Sequence, residues 1–294
     1  MNKAIEAVAD ATRSVDDVGR ARLAQLPAYV GLAERSARWC TSARWSRRLK
    51  GVRLLAILGA GHNTVPPLLD DPRSEVRSAA AAWASNHPSE QVVTKLILML
   101  SDESLACRLA AQNTLIRLGR YAVPAIISHL TEAVPAALAT VLLVASRVHD
   151  SALTGPALRH RNHSDPAVRS AVAQVIASAG GTAGVQELEK YLTDPADKVR
   201  ATAAAGLGAL GHWPSSPLLA DRLGDRSWEA RRAAALALDQ LGSPGQLYLQ
   251  RALLSTDRFA QDMAQQVLNR ARSVQSKPAL PTSRSSTITG RITE

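Results

Sequence analysis

Asp194-Pro195-Ala196-Asp197-Lys198-Val199-Arg200, followed by Ala203, Leu207, Leu210 and Gly211, decides the fold, because the chain repeats this pattern about thirty-one residues apart. Upstream stand Asp71-Pro72-Arg73-Ser74-Glu75-Val76-Arg77, Asp102-Glu103-Ser104-Leu105-Ala106-Cys107-Arg108 and His163-Ser164-Asp165-Pro166-Ala167-Val168-Arg169. Downstream is Asp225-Arg226-Ser227-Trp228-Glu229-Ala230-Arg231. A degenerate copy, Glu132-Ala133-Val134-Pro135-Ala136-Ala137-Leu138, fills the widest gap, and a terminal copy runs Thr256-Asp257-Arg258-Phe259-Ala260-Gln261-Asp262. Self-similarity at this period predicts an all-α, right-handed solenoid: one helical hairpin cannot bury its apolar face alone, and stacked neighbours can.

Each copy reads as two helices. The first opens after the acidic turn, where Asp71 and Asp194 can cap or open it and Pro72, Pro166 and Pro195 sit where a missing N–H costs little. Apolar residues three or four apart then make one buried stripe. Gly119, Gly180, Gly211 and Gly242 follow it, where a left-handed stop is wanted. Second helices are expected at 92–100, 123–130, 185–192, 216–223 and 246–254. An earlier unit is expected around Arg47, Arg48 and Gly51, with Leu55, Leu58 and Gly59 in the stripe and stop positions. The resulting organisation is a basic, helical N-terminal extension over 1–44, an array of about eight units over 45–270, and a disordered Ser-, Thr- and Pro-rich tail over 271–294.

The pattern Asp-Pro-x-x-x-Val-Arg-x-x-Ala-Ala, closing on Leu-Gly, resembles the HEAT-like repeats of the phycobilisome-lyase type over about 71–270. In that family the turn acid and the arginine after the valine commonly form a ladder of ion pairs between hairpins. The resemblance therefore implies that role for Asp71, Asp102, Asp194 and Asp225 with Arg77, Arg108, Arg200 and Arg231. Leu138 replaces the arginine in the degenerate unit, so the ladder is expected to break there. Resemblance to di-iron HEAT-repeat hydroxylases fails at their ligand motif, because the dipeptide His-Glu occurs nowhere.

The formal net charge of +10 is unevenly spread. Residues 1–60 hold eleven Lys/Arg against five Asp/Glu and residues 271–294 hold four against one, leaving twenty against nineteen in between. A solenoid that tracks phosphates carries a basic stripe along many repeats, so nucleic acid is not the favoured partner. The two cysteines, Cys40 and Cys107, make no disulfide framework, and Cys107 takes the small apolar position of its unit. No secretory signal and no membrane-length apolar run is legible. Cytoplasmic placement, with peripheral contact at an inner membrane, is the expectation.

Four departures from the repeat are candidate sites. Arg35 to Arg53 holds seven basic residues and two tryptophans. Within it Trp39, Arg44, Trp45, Arg47, Arg48 and Lys50 suit an anionic membrane surface, an acidic partner or single-stranded nucleic acid, or serve merely as a cap on the array. This stretch also resembles the juxtamembrane segment of bacterial HEAT-repeat proteins. Trp228 and Phe259 stand in exposed turn positions one repeat apart, and fit either a partner patch or hydrophobic staples on their own helices. The degenerate helix is apolar on nearly every face, including Ala139 and Leu143, and needs a cover. His160 and His163 share one turn but lack two further ligands at suitable spacing, so a structural role is expected.

No phosphate loop, nucleophile elbow or paired-cysteine motif is present. No catalytic residue, metal or cofactor is expected, and a reactive role for Cys40 rests only on its neighbouring arginines. The chain reads as a non-catalytic, bacterial-type scaffold for a protein partner. Two alternatives remain: a chromophore-lyase subunit, which the family resemblance implies, and a nucleic-acid-binding HEAT-like protein.

Overall fold

The computed structural model describes residues 27–132, 137–181 and 184–275, and no strand occurs among them. The first helices of the hairpins are α2 (Trp45–Leu58), α3 (Ser74–Ala84), α5 (Leu105–Leu118), α7 (Leu138–Val148), α9 (Pro166–Ala179), α11 (Asp197–Ala209), α13 (Trp228–Gln240) and α15 (Arg258–Gln275). A 3-10 turn at Pro66–Asp70 serves as the first unit's second helix. The other second helices are α4 (Glu90–Leu98), α6 (Val123–Leu130), α8 (Thr154–Leu158), α10 (Val185–Tyr191), α12 (Ser216–Asp221) and α14 (Ser243–Ala252). Ahead of the array, α1 (Pro27–Cys40) lies against α2. The reading of residues 1–26 and of the tail from 276 onward falls outside the described residues. The final helix extends to Gln275, past the boundary expected at 270.

First helix stacks on first helix through alanine. Ala80, Ala111, Ala171, Ala203 and Ala234 are all fully buried, and small side chains let the axes approach closely. The limit is reached at Gly208, where an added Cβ would lie 2.7 Å from the Cα of Ala237 on the next helix. Leucines of the second helices (Leu96, Leu130, Leu188, Leu219), with Leu153 in the 3-10 turn just before α8, fill the space beneath. One apolar core thereby runs from Cys40 to Leu268, with no gap that would divide the array.

The glycine stops stand where expected: Gly119, Gly180, Gly211 and Gly242 all have positive φ, as does Gly59 of the early unit. The helix starts differ from expectation. Helices α3 and α11 begin three residues after Asp71 and Asp194, and their N-cap residues make no side-chain cap. The acids stand two residues before the N-cap and close the turn that leads into the helix, Asp71 accepting from the Arg73 N–H and Asp194 from the Ala196 N–H.

Candidate functional site

The ion-pair ladder decides which charges are free to meet a partner. Arg77 grips Asp102 through two parallel hydrogen bonds, Nε to Oδ2 at 2.7 Å and Nη2 to Oδ1 at 2.8 Å. Arg169 holds Asp194 and Arg200 holds Asp225 in the same two-pronged way. Arg48 holds Asp71 likewise, making a first rung before the expected ladder. Each arginine's Nη1 also donates to carbonyls of its own turn, as Arg200 does to Asp194 and Pro195. Such forked, charge-assisted bonds fix geometry as well as energy.

Burial pushes the Asp194 carboxyl up. The Arg169 fork, the Ala196 N–H and the charges of Arg169 and Arg200 outweigh it, leaving the group below the usual carboxylate range. Asp71 and Asp225 follow the same balance. At Asp102 the Arg77 fork is itself the largest influence, and the shift is again downward.

Two of the arginines expected in the ladder are not rungs. Arg108 donates only to the carbonyls of Asp102 and Glu103, and Arg231 only to those of Asp225 and Arg226, with no carboxylate partner among the described residues. Because a rung reaches forward into the following turn, Arg108 would need the acid of the degenerate copy, but that acid, Glu132, lies with its Oε1 3.2 Å from His129 Nδ1, and the residues after it up to 136 include no other. Leu138 removes the next arginine, and the residue it would have faced is His163. His163 Nδ1 accepts from the Asp165 N–H at 3.0 Å, as Asp71 Oδ1 accepts from the Arg73 N–H. Histidine keeps the turn-closing function where no cation remains to pair. The ring of His160 contacts the Leu130 carbonyl through Nε2 at 2.8 Å.

Within the N-terminal stretch, Arg48 is corrected from a free cation to a structural one, since its side chain is 13% exposed and fully engaged. Arg44, Arg47, Lys50 and Arg53 are exposed. Trp45 is exposed beneath the Arg73 guanidinium, 4.9 Å from its ring centre, and Trp39 is half-buried beneath Arg35 at 5.5 Å. Helix α1 seats on α2 at Gly51, where an added Cβ would meet the Ser36 carbonyl at 2.7 Å and Cys40 Sγ at 2.8 Å. Burial there pushes the Cys40 thiol up to about 11, which removes the reactive reading of that cysteine. Cys107 is fully buried, with Sγ 3.3 Å from the Ser74 carbonyl.

Trp228 and Phe259 are both more than half exposed, at 54% and 57%. Neither lies flat on its own core: Arg232 covers Trp228 at 5.5 Å, and Arg231 of the preceding unit covers Phe259 at 4.5 Å. By register the rung position opposite Arg231 is held by Thr256, and the guanidinium lies over the Phe259 ring instead. Beside Trp228 a groove of about 500 Å³ runs between α11 and α13, floored by Ala201, Ala205 and Ala233. On the apolar helix α7, flanking helices cover most faces: Val141, Leu142, Val144 and Ala145 are buried, Ala139 is half-buried against the core, and Leu143 points out at 36% exposure.

Two polar clusters were not anticipated from the sequence. His62, Trp83 and His87 pack together between the first two units, with Trp83 Nε1 donating to the Ala60 carbonyl at 2.7 Å. Between α10 and α12, Ser215 Oγ donates to Glu189 Oε1 at 2.6 Å and lies 2.7 Å from His212 Nδ1. That trio has the composition of a hydrolase triad but not its wiring. The serine is fully buried, it bonds the carboxylate directly, and the histidine does not stand between them. The overlooked signal was a spacing. His62 and His87 are twenty-five residues apart, like Arg77 and Asp102, and like Asp70 and Lys95, which also pair.

Among solved structures the chain is similar to an engineered protein (17% identity, 92% of this chain and 94% of that one, TM-score 0.44). It is also similar to YibA of E. coli (16%, 83% and 95%, 0.46) and to the CpcE–CpcF complex of phycocyanin lyase from a Nostoc species (19%, 82% and 94%, 0.36). No curated protein matches the sequence. The family model for HEAT repeats matches residues 122–208 and 185–269, together half of the chain, and its span covers the hairpins from α6 onward with the Arg169 and Arg200 rungs. The chain belongs to the HEAT-repeat family.

Proposed function

We propose that this protein is a non-catalytic scaffold whose C-terminal hairpins dock a segment of a protein partner that carries both apolar and acidic side chains. The observation that supports this reading is the pairing of exposed aromatics with an incomplete rung. Trp228 and Phe259 stand out from the surface, and Arg231 between them lacks the carboxylate that Arg77, Arg169 and Arg200 each hold. Its Nε is buried without a hydrogen-bond partner. A partner acid would complete the rung, and apolar side chains would enter the alanine-floored groove beside Trp228. Both contacts use side chains that contribute little to the core.

The test is capture of cross-linked partners from the native host by wild type and by the Trp228→Ala, Phe259→Ala double variant. Capture should fall at least about tenfold, as expected when two aromatic anchors are lost, while the melting temperature moves by no more than about 2 °C. Undiminished capture would refute the assignment, and a large fall in melting temperature would show the rings to be structural staples.

A second contact with an anionic membrane is supported by the exposed Arg44, Trp45, Arg47 and Lys50. Replacing Arg44, Arg47 and Lys50 by serine should abolish salt-sensitive co-sedimentation with anionic vesicles. No described helix is long and apolar enough to cross a membrane.

A further inference from the structure

The cluster of His62, Trp83 and His87 lies at the joint between α2 and α3, at the opposite end of the array from the aromatic patch. Its parts are held rigidly. Trp83 is buried and tied to the Ala60 carbonyl, His87 stacks on it with ring centres 4.4 Å apart, and the His87 backbone N–H donates to the Ala84 carbonyl. His62 follows Gly61, whose φ of +96° and contact with Leu55 and Val65 leave no room for a side chain. The position of the next residue is thereby fixed. His87 is nine-tenths buried, its Nδ1 lies 3.1 Å from Nε2 of the exposed His62, and its Nε2 has no hydrogen-bond partner.

Four ring nitrogens share the protons of this pair. While both rings are neutral, His87 Nδ1 donates to His62 Nε2 and the unpartnered His87 Nε2 carries no proton, so no N–H is stranded. One further proton leaves a single nitrogen of the four bare. If that is His87 Nε2, two N–H groups point at each other across 3.1 Å. If it is any other, an N–H stands on the buried Nε2, where nothing accepts it and the desolvation is uncompensated. From this geometry we propose that the His62–His87 pair is a proton-excluding lock, which holds the joint between α2 and α3 closed while both rings are neutral and releases it on acidification. Trp83 links the two turns through the Ala60 carbonyl and the His87 ring, so expelling His87 loosens both sides of the joint together.

Charged groups of the flanking elements supply no counter-ion. Arg48 is bound to Asp71, Lys95 to Asp70 and Arg77 to Asp102, the Arg73–Glu75 pair is exposed, and Lys50, Arg53, Glu90 and Arg117 are exposed too. Burial, and then the charge of His62, push the His87 imidazole down to about 4. An unfolded histidine takes up its proton at about pH 6.5, so the stabilisation from the lock is complete above that pH and is lost as pH falls toward about 4. The rung carboxylates of the same region, Asp71 and Asp102, lie below their ordinary range and give way at lower pH.

Native-state hydrogen exchange of the full chain at about pH 7.5 and about pH 5, corrected for the intrinsic pH dependence of exchange, tests the lock apart from the rungs. In the wild type the opening constant for amides of α2, α3 and the turns after them should rise at least about tenfold. In His87→Phe, which keeps a ring on Trp83 but takes no proton, it should rise less than about twofold. An NMR titration of the wild type gives a second reading that needs no variant: the His87 ring should stay neutral down to about pH 5, with its one proton on Nδ1. An opening constant that rises as steeply in His87→Phe as in the wild type, or a His87 ring that titrates near about pH 6.5 in the folded chain, would overturn the lock.

Discussion

The joints around α11 and the joints around α7 are built differently, although both join one hairpin to the next. From α9 to α11 to α13 each joint carries a complete rung, Arg169 with Asp194 and Arg200 with Asp225, the second with both side chains about 95% buried. From α5 to α7 to α9 two successive joints carry none, because Arg108 has no carboxylate and Leu138 and His163 replace both partners. Yet α7 is as deeply packed as its neighbours, with Val141, Leu142 and Val144 almost wholly buried. Apolar contact alone therefore holds a hairpin in the stack. The rungs add register, since a forked arginine accepts a carboxylate in only one position.

Breaking the strongest rung should separate these contributions most clearly. Asp225→Ala strands the buried Arg200 and uncaps the Ser227 N–H, and should cost about 3–5 kcal/mol. His163→Ala, at the joint that lacks a rung, should cost less than about 1 kcal/mol. Native-state hydrogen exchange resolves the two, with the Asp225 loss concentrated in α11 and α13. Equal losses would show that the rungs are no more than turn closures.

Acid should expose the same contrast. The folded Asp71, Asp102, Asp194 and Asp225 carboxyls lie below their ordinary range. Their stabilisation is thus present above the unfolded carboxylate pKa and is lost as pH falls through the lower folded values. Exchange protection in α3, α11 and α13 should decline as pH drops from about 5 to 2, more than protection in α7 does. A uniform decline would mean that the array unfolds as one body and the comparison has no local meaning. The smallest effect comes from building the missing rung. Leu138→Arg should destabilise through lost burial, and His163→Asp should recover about 1–2 kcal/mol only in its presence, read as the coupling in a double-mutant cycle. Zero coupling would disprove the forward register.

The sequence made the array legible because a repeat displays its own alignment. Stripe residues, glycine stops and the ladder's existence follow from what recurs. The second helix 123–130 matches residue for residue. What stayed hidden were contacts at the offset between units. The Arg48–Asp71 and His62–His87 pairs join residues about twenty-five apart, and Arg108 and Arg231 stay idle for want of an acid at that offset, a spacing invisible to an alignment that compares equivalent positions at thirty-one. The charge run before the array looked uniform for the same reason, with Arg48 hidden among exposed neighbours.

The sequence by itself determined that the chain is a stack of helical hairpins, because periodic burial of alanine and leucine has one low-energy solution and copies of a unit reinforce it. It also located the departures: the basic tryptophan stretch, the apolar helix and the aromatic turns. Only the tertiary structure decided which of those residues remain available. An arginine is free or committed according to whether an acid of the following hairpin reaches it, and an aromatic is a staple or a surface feature according to what lies over its ring. Those are distances across the stack, fixed by how the hairpins settle against one another and not by any property of the residue alone.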